Sequence, residues 1–183
     1  MYNKKFIQLI FSGFLFSFLL TSCFKDVDFS QAENLSMEPD LEVDLLYYKL
    51  NELDFLDSET SAYTPAIRDT VRLEFLDDDY IQDGLVYAAL RFKHENVFPY
   101  EINTNIRFLD KNGRNQFNVI YTIPEGFEGS PAVIDTLRVL EGDEIQKMRR
   151  SIQMVIDHEV IGGDEKLQGN LKFMSKGLFR FEF

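Results

Sequence analysis

His94 and His158 are the chain's two histidines, and Asp77-Asp78-Asp79 is its densest run of carboxylates. A histidine acting as a general base needs a nucleophile or a carboxylate within hydrogen-bond reach. No Gly-x-Ser-x-Gly, His-Glu-x-x-His or phosphate-loop pattern accompanies either imidazole. The expectation for both is a surface or rim position near a strand end. Asp77, Asp78 and Asp79, and separately Asp110 with Asn112, offer the oxygen ligands that calcium takes, but neither stretch has the ligand spacing of a calcium loop. Asp and Asn favour turns because their side chains bond the local backbone. The sequence therefore predicts turns, no cofactor and no metal, with Asp77, Asp78 and Asp79 the candidates if a cation binds. Carboxylate pairs for glycoside hydrolysis form in space and are not legible in one sequence. Tyr47, Tyr80, Tyr87 and Tyr100 are read as exposed aromatics that could stack on a glycan or pack against a protein, or serve as core-edge residues with wet hydroxyls. Cys23 is the single cysteine, so an internal disulfide and a thiolate zinc site are both excluded.

Composition bounds the class. Apolar residues make up 45% of the chain and charged residues 27%, which fits one folded domain with a tail. The 18 Phe and 8 Tyr sit among Val, Ile and Leu, a composition that favours strands. Acidic residues outnumber basic ones by 31 to 19, and this imbalance opposes binding to nucleic acid phosphates.

Residues 1–22 have their own layout. Lys4 and Lys5 make a positive start, Phe6 to Leu20 an apolar run, and Leu20-Thr21-Ser22-Cys23 a small-residue ending. As a helix the run reaches only about 22 Å, short of a hydrocarbon core of roughly 30 Å. The pattern is that of a secretory signal, and its ending resembles the lipobox of bacterial lipoproteins. That resemblance implies cleavage before Cys23, a diacylglyceryl group on its thiol and acylation, as by palmitate, of the new amino group. Two or three acyl chains anchor durably where one does not. Lys25, Asp26 and Asp28 follow in "FKDVDF", which is similar to the surface-export signal of Bacteroidota lipoproteins. A solvated tether explains the same residues, so periplasmic face and cell surface both stay open.

From Leu41 the hydrophobic pattern is that of strands. Leu41, Val43 and Leu45 alternate and then shift phase to Leu46, Tyr48 and Leu50, predicting a bulged strand. Val71, Leu73 and Phe75 share one face of the next. Val86, Ala88, Leu90 and Phe92 share a face of another. Ile102, Thr104, Ile106 and Phe108 should face Phe117, Val119, Tyr121 and Ile123 across a hairpin at Asp110 to Gly113. Strands are also predicted over "AVIDTLRVL", "IQMVIDHEV" and the last residues, with one or two helical turns in "EGDEIQKMRRS". The whole is an all-β antiparallel sandwich, immunoglobulin-like or related, of about eight strands with at most one short helix. Its organisation is 1–22 signal peptide, 23–40 lipidated N-terminus and tether, and 41–183 sandwich.

The functional expectation is a non-catalytic, lipid-anchored envelope protein, an interaction or structural accessory module at the outer membrane with an envelope protein partner. The alternative is a carbohydrate-binding lipoprotein. Two further alternatives are a small hydrolase and an outer-membrane β-barrel, the latter because Phe179, Phe181 and Phe183 alternate as in a barrel's last strand.

Overall fold

The computed structural model describes residues 37–163 and 167–183. The signal segment, Cys23, Lys25, Asp26 and Asp28 lie outside the described residues. Strands β1 (Asp40–Asn51), β2 (Ala66–Arg72), β3 (Leu85–Asn96), β4 (Ile102–Leu109), β5 (Asn115–Ile123), β6 (Ala132–Glu141), β7 (Gln153–Val160) and β8 (Asn170–Phe181) form two four-stranded sheets. One has the order β1-β8-β3-β6, the other β2-β7-β4-β5, and every pairing is antiparallel. Of the sandwich topologies the sequence allows, this order is that of a jelly roll. The barrel alternative is corrected by the same order: β1 and β6 edge one sheet and β2 and β5 the other, so the two do not join into one closed wall. No helix among the described residues is long and apolar enough to cross a membrane.

The strands follow their sequence patterns. Leu90 and Phe92 of β3, Ile106 and Phe108 of β4, Met154 and Ile156 of β7, and Phe173 and Phe179 of β8 are all fully buried between the sheets. The phase change in β1 is a bulge, with the register shifting between Asp44 and Leu46. The β4–β5 hairpin has the expected partners, Ile102 opposite Ile123, Thr104 opposite Tyr121, Ile106 opposite Val119 and Phe108 opposite Phe117. Only Gly113 supplies a positive φ there, at 76°, while Asp110 O accepts from its amide at 2.9 Å.

Two local expectations change. β2 stops at Arg72 rather than running on to Leu76, because the chain curls into a three-residue helical turn, Glu74–Leu76, that buries both Leu73 and Leu76. Strand alternation would have put those two, three apart, on opposite faces. The acidic turn after it becomes the short helix α1 (Asp79–Gly84), and the helical segment expected after β6 is α2 (Ile145–Arg149).

The sandwich has two distinct ends. At one, Met37 N donates to Phe183 O and Phe183 N to Met37 O, each at 3.1 Å, beside the β2–β3, β4–β5 and β6–β7 connections. We call this the terminal end. The β1–β2, β3–β4, β5–β6 and β7–β8 connections lie at the opposite end, which a separate cluster of Phe55, Phe98, Ile102, Ile123, Val160, Leu167 and Leu171 closes. The loops there interlock through backbone bonds, among them Gly126 N to Phe98 O at 2.9 Å. A Cβ on Gly126 would lie 1.9 Å from Asn96 O and 2.7 Å from Ala132 N. Gly126→Ala should therefore cost about 2 to 3 kcal/mol, as overpacking against immovable backbone does. Urea unfolding should show a lower midpoint with an unchanged slope, and an unchanged midpoint would contradict the close approach.

Candidate functional site

Neither histidine is at the rim. His94 is 0% exposed and His158 is 1% exposed, a correction of the sequence expectation. His94 projects inward from β3 in phase with Leu90 and Phe92, and His158 from β7 in phase with Met154 and Ile156. Their rings meet between the sheets edge to face, centroids 5.3 Å apart. The signal is in the sequence: each histidine continues the inward parity of its own strand.

Four other strands complete the group. The Tyr48 hydroxyl of β1 lies 2.5 Å from His158 Nε2, and Thr104 Oγ1 of β4 lies 2.9 Å from His158 Nδ1. The phenol is the better proton donor, so Nε2 accepts from it and Nδ1–H donates to the threonine oxygen. The Tyr121 hydroxyl of β5 lies 3.2 Å from His94 Nδ1, and Phe173 of β8 packs against the His94 ring at 4.5 Å. Burial drives His94 down to about 2, with repulsion from His158 adding to it. Burial takes His158 down to about 4 against a smaller opposing pull from Asp157. Both imidazoles are neutral hydrogen-bonding groups in this setting, and Tyr48 and Tyr121 are held protonated because burial pushes their pKa values up. A substrate cannot reach any of these nitrogens without parting the sheets.

This arrangement fixes a pH dependence. A histidine of the unfolded chain titrates near 6.5, well above the folded values, so unfolding takes up protons as the pH falls below that point. Stability is complete above a pH of about 6.5 and is lost below it at about 1.4 kcal/mol per pH unit for each histidine. Urea midpoints measured between pH values of about 6.5 and 4.5 should fall steeply, and His158→Gln should make that fall shallower. An identical pH slope in the variant would contradict a neutral buried His158.

The acidic turns are brought together. Asp77 and Asp79 line one open pocket of about 450 Å³ with Asp110, Asn112, Lys111 and Arg150. Oxygens of Asp77, of the adjacent Asp78 and of Asp110 already serve the fold. Asp77 pairs with Arg72. Asp78 Oδ1 accepts from the amides of Tyr80 and Ile81 at 2.9 and 3.2 Å and so caps α1, which is why the predicted turn is a helix. Asp110 Oδ1 accepts from the amides of Asn112 and Arg114 at 2.8 and 2.9 Å, and those bonds, the Arg114 amide first, hold its carboxyl below the usual range. Among the described residues no three His, Cys, Asp or Glu converge on a position for a metal ion.

Of the four tyrosines read as exposed, two are. Tyr47 is 67% exposed and Tyr80 64%, but Tyr80 stacks on Phe183 with centroids 4.5 Å apart. Tyr87 is half-buried beneath the Arg180 guanidinium, and Tyr100 is half-buried at the opposite end. Tyr47 stands beside a shallow depression of about 290 Å³ that Asp44, Met174 and Lys176 also line.

No family model matches this sequence, and no curated protein does. Solved structures with a similar chain path include one from Parabacteroides distasonis described as a secreted protein, at 13% identity and a TM-score of 0.43 over 62% of this chain and 37% of that one. The VP2 subviral particle of infectious bursal disease virus matches at 9% identity and a TM-score of 0.43, over 78% and 32% of the two chains. An Arthrobacter globiformis T6 isomalto-dextranase complexed with panose matches at 8% identity and a TM-score of 0.34, over 76% and 23%. This chain thus spans between about a quarter and two fifths of each, and likenesses this distant carry no argument about function.

Proposed function

We propose that this chain is a non-catalytic, lipid-anchored envelope protein whose sandwich serves as an interaction or structural accessory module at the outer membrane. The observation that carries the reading is Leu20-Thr21-Ser22-Cys23 at the end of a charged and then apolar leader. The leader matches the signal-peptide layout, and acyl chains on the Cys23 thiol and amino group supply the membrane affinity. The sealed histidine pair supports a non-catalytic body, since the two imidazoles of the chain are spent on packing. Cys23→Ala should abolish incorporation of a palmitate analogue and move the protein from the membrane fraction to the soluble one. Membrane retention of that variant, or a native N-terminus other than Cys23, would overturn the anchor. Protease shaving of intact cells separates the two orientations, the periplasmic face and the cell surface, and neutralising Lys25, Asp26 and Asp28 should abolish cleavage where those residues act as a surface-export signal.

A second reading, glycan binding, rests on Tyr47, which combines wide exposure with neighbouring Asp44 and Lys176 as hydrogen-bonding groups. A glycan array would show a ligand whose signal Tyr47→Ala removes, whereas a blank array would discard the reading.

A further inference from the structure

Charge is divided unevenly between the ends of the sandwich. At the opposite end, the loop carboxylates Glu52, Asp54, Asp57, Glu59, Glu101, Glu125 and Glu128 are all exposed, and the described residues of those loops include no Lys or Arg. At the terminal end, Lys111, Arg114, Lys147, Arg149 and Arg150 share the loops with the acids. The two faces of the sandwich are balanced as well: Arg91 pairs with Asp135, Lys172 with Glu95, Arg180 with Asp40, and Arg68 and Arg107 with Asp157. Among the described residues, carboxylates without a cationic partner are concentrated where four loops meet.

Apolar surface is concentrated there too. A groove of about 500 Å³ runs between the β3–β4, β5–β6 and β7–β8 loops, lined by the apolar Val97, Pro99, Phe127 and Pro131 together with Glu128, Gln168 and Asn170. Phe127 is 55% exposed. A bridge between its backbone and that of Ser130, at 3.1 and 2.9 Å, closes the tight loop that presents it. Leu53, at 68% exposed, and Ile161, at 42%, stand on the neighbouring loops. An aromatic ring held in a rigid loop beside a proline-lined groove has the anatomy of an interface core, and the carboxylates around it form the polar rim.

We infer that this end is the docking site for a protein partner that presents a cationic segment, Lys- or Arg-rich with apolar anchors between the charges. Charge complementarity selects that occupant. A second copy of this chain would bring seven like charges against seven, and an anionic lipid surface would be repelled in the same way. A cationic segment instead gains steering from the carboxylates and seats its apolar side chains on Phe127 and the groove. The inference rests on the envelope-module reading and gives its partner a chemistry. Within the sandwich, the groove lies at the end opposite the one where Met37 bonds Phe183.

The test uses the full chain in its own cells. A benzophenone amino acid replaces Phe127 in one strain and the exposed Asn118, on the outer face of β5, in another, and the crosslinked peptides are sequenced by mass spectrometry. The expected result is one dominant adduct from position 127, to a segment of another protein with net positive charge, and no such adduct from position 118. In a strain that also carries Glu125→Lys and Glu128→Lys, the yield should fall at least tenfold while the protein's thermal unfolding transition is retained. An adduct to lipid, to a second copy of this chain or to an acidic or neutral segment would overturn the inference. So would equal adducts from both positions, insensitivity to the charge reversal, or no adduct at all. Membrane retention is measured on the same cells, so a protein that stays in the membrane without forming the adduct refutes the docking site and leaves the anchor standing, whereas a soluble protein refutes the anchor.

Discussion

The structure depends on β8. It is hydrogen-bonded along its length to β1 on one side and β3 on the other, and it delivers Leu171, Phe173, Phe179 and Phe181 to the interior. The other strands of its sheet meet through it or through β3. Close packing makes this exacting. A Cβ on Gly177 would fall 2.4 Å from the Phe179 ring and one on Gly84 2.1 Å from Phe183, so the aromatic terminus lies against backbone stripped of side chains. The alternate phenylalanines that resemble a barrel's last strand are therefore the central inward face of a sandwich, a role the same period-two pattern serves.

Within that apolar interior the His94, His158, Tyr48, Tyr121 and Thr104 group stitches five strands together across both sheets. Buried polar groups cost free energy unless they find partners, and here the partners of both His158 nitrogens and of His94 Nδ1 come from strands distant in sequence, while His94 Nε2 has none among the described residues. Tyr48 and His158 are 110 residues apart. Such a seam holds one facing of the two sheets against sliding, since a shift of one residue in either sheet would turn an imidazole outward and strand a phenol.

Much of this fold is legible in the amino-acid sequence. The period of two marks the strands, Asn112-Gly113 marks the hairpin and its register, and the doubled leucine at Leu45 and Leu46 marks the bulge. What escapes has a physical reason in each case. The polarity of imidazole argues for a rim position, although the strand parity of both histidines points inward. Parity outranks polarity when partners wait on the other side, and one sequence does not display those partners. Asp78 has the character of a turn former, and its side chain does bond local amides, but two amides in succession start a helix. The meeting of Asp77 with Asp110 and the gathering of acid around Phe127 arise from topology alone, because loops far apart in sequence share an end of the sandwich.

The pairing of β1 with β8 also sets how the molecule comes into being. Asp40 and Arg180, joined across these two strands, are 140 residues apart, so one sheet cannot close until nearly all of the domain is available. Until then the apolar faces of β1 and β3 have no strand between them. Folds built on such distant pairings form slowly and leave strand edges open while they do. The sheet built on β8 is completed only by its last strand in chain order, and until then the inward faces of its other strands lack the neighbour that joins them.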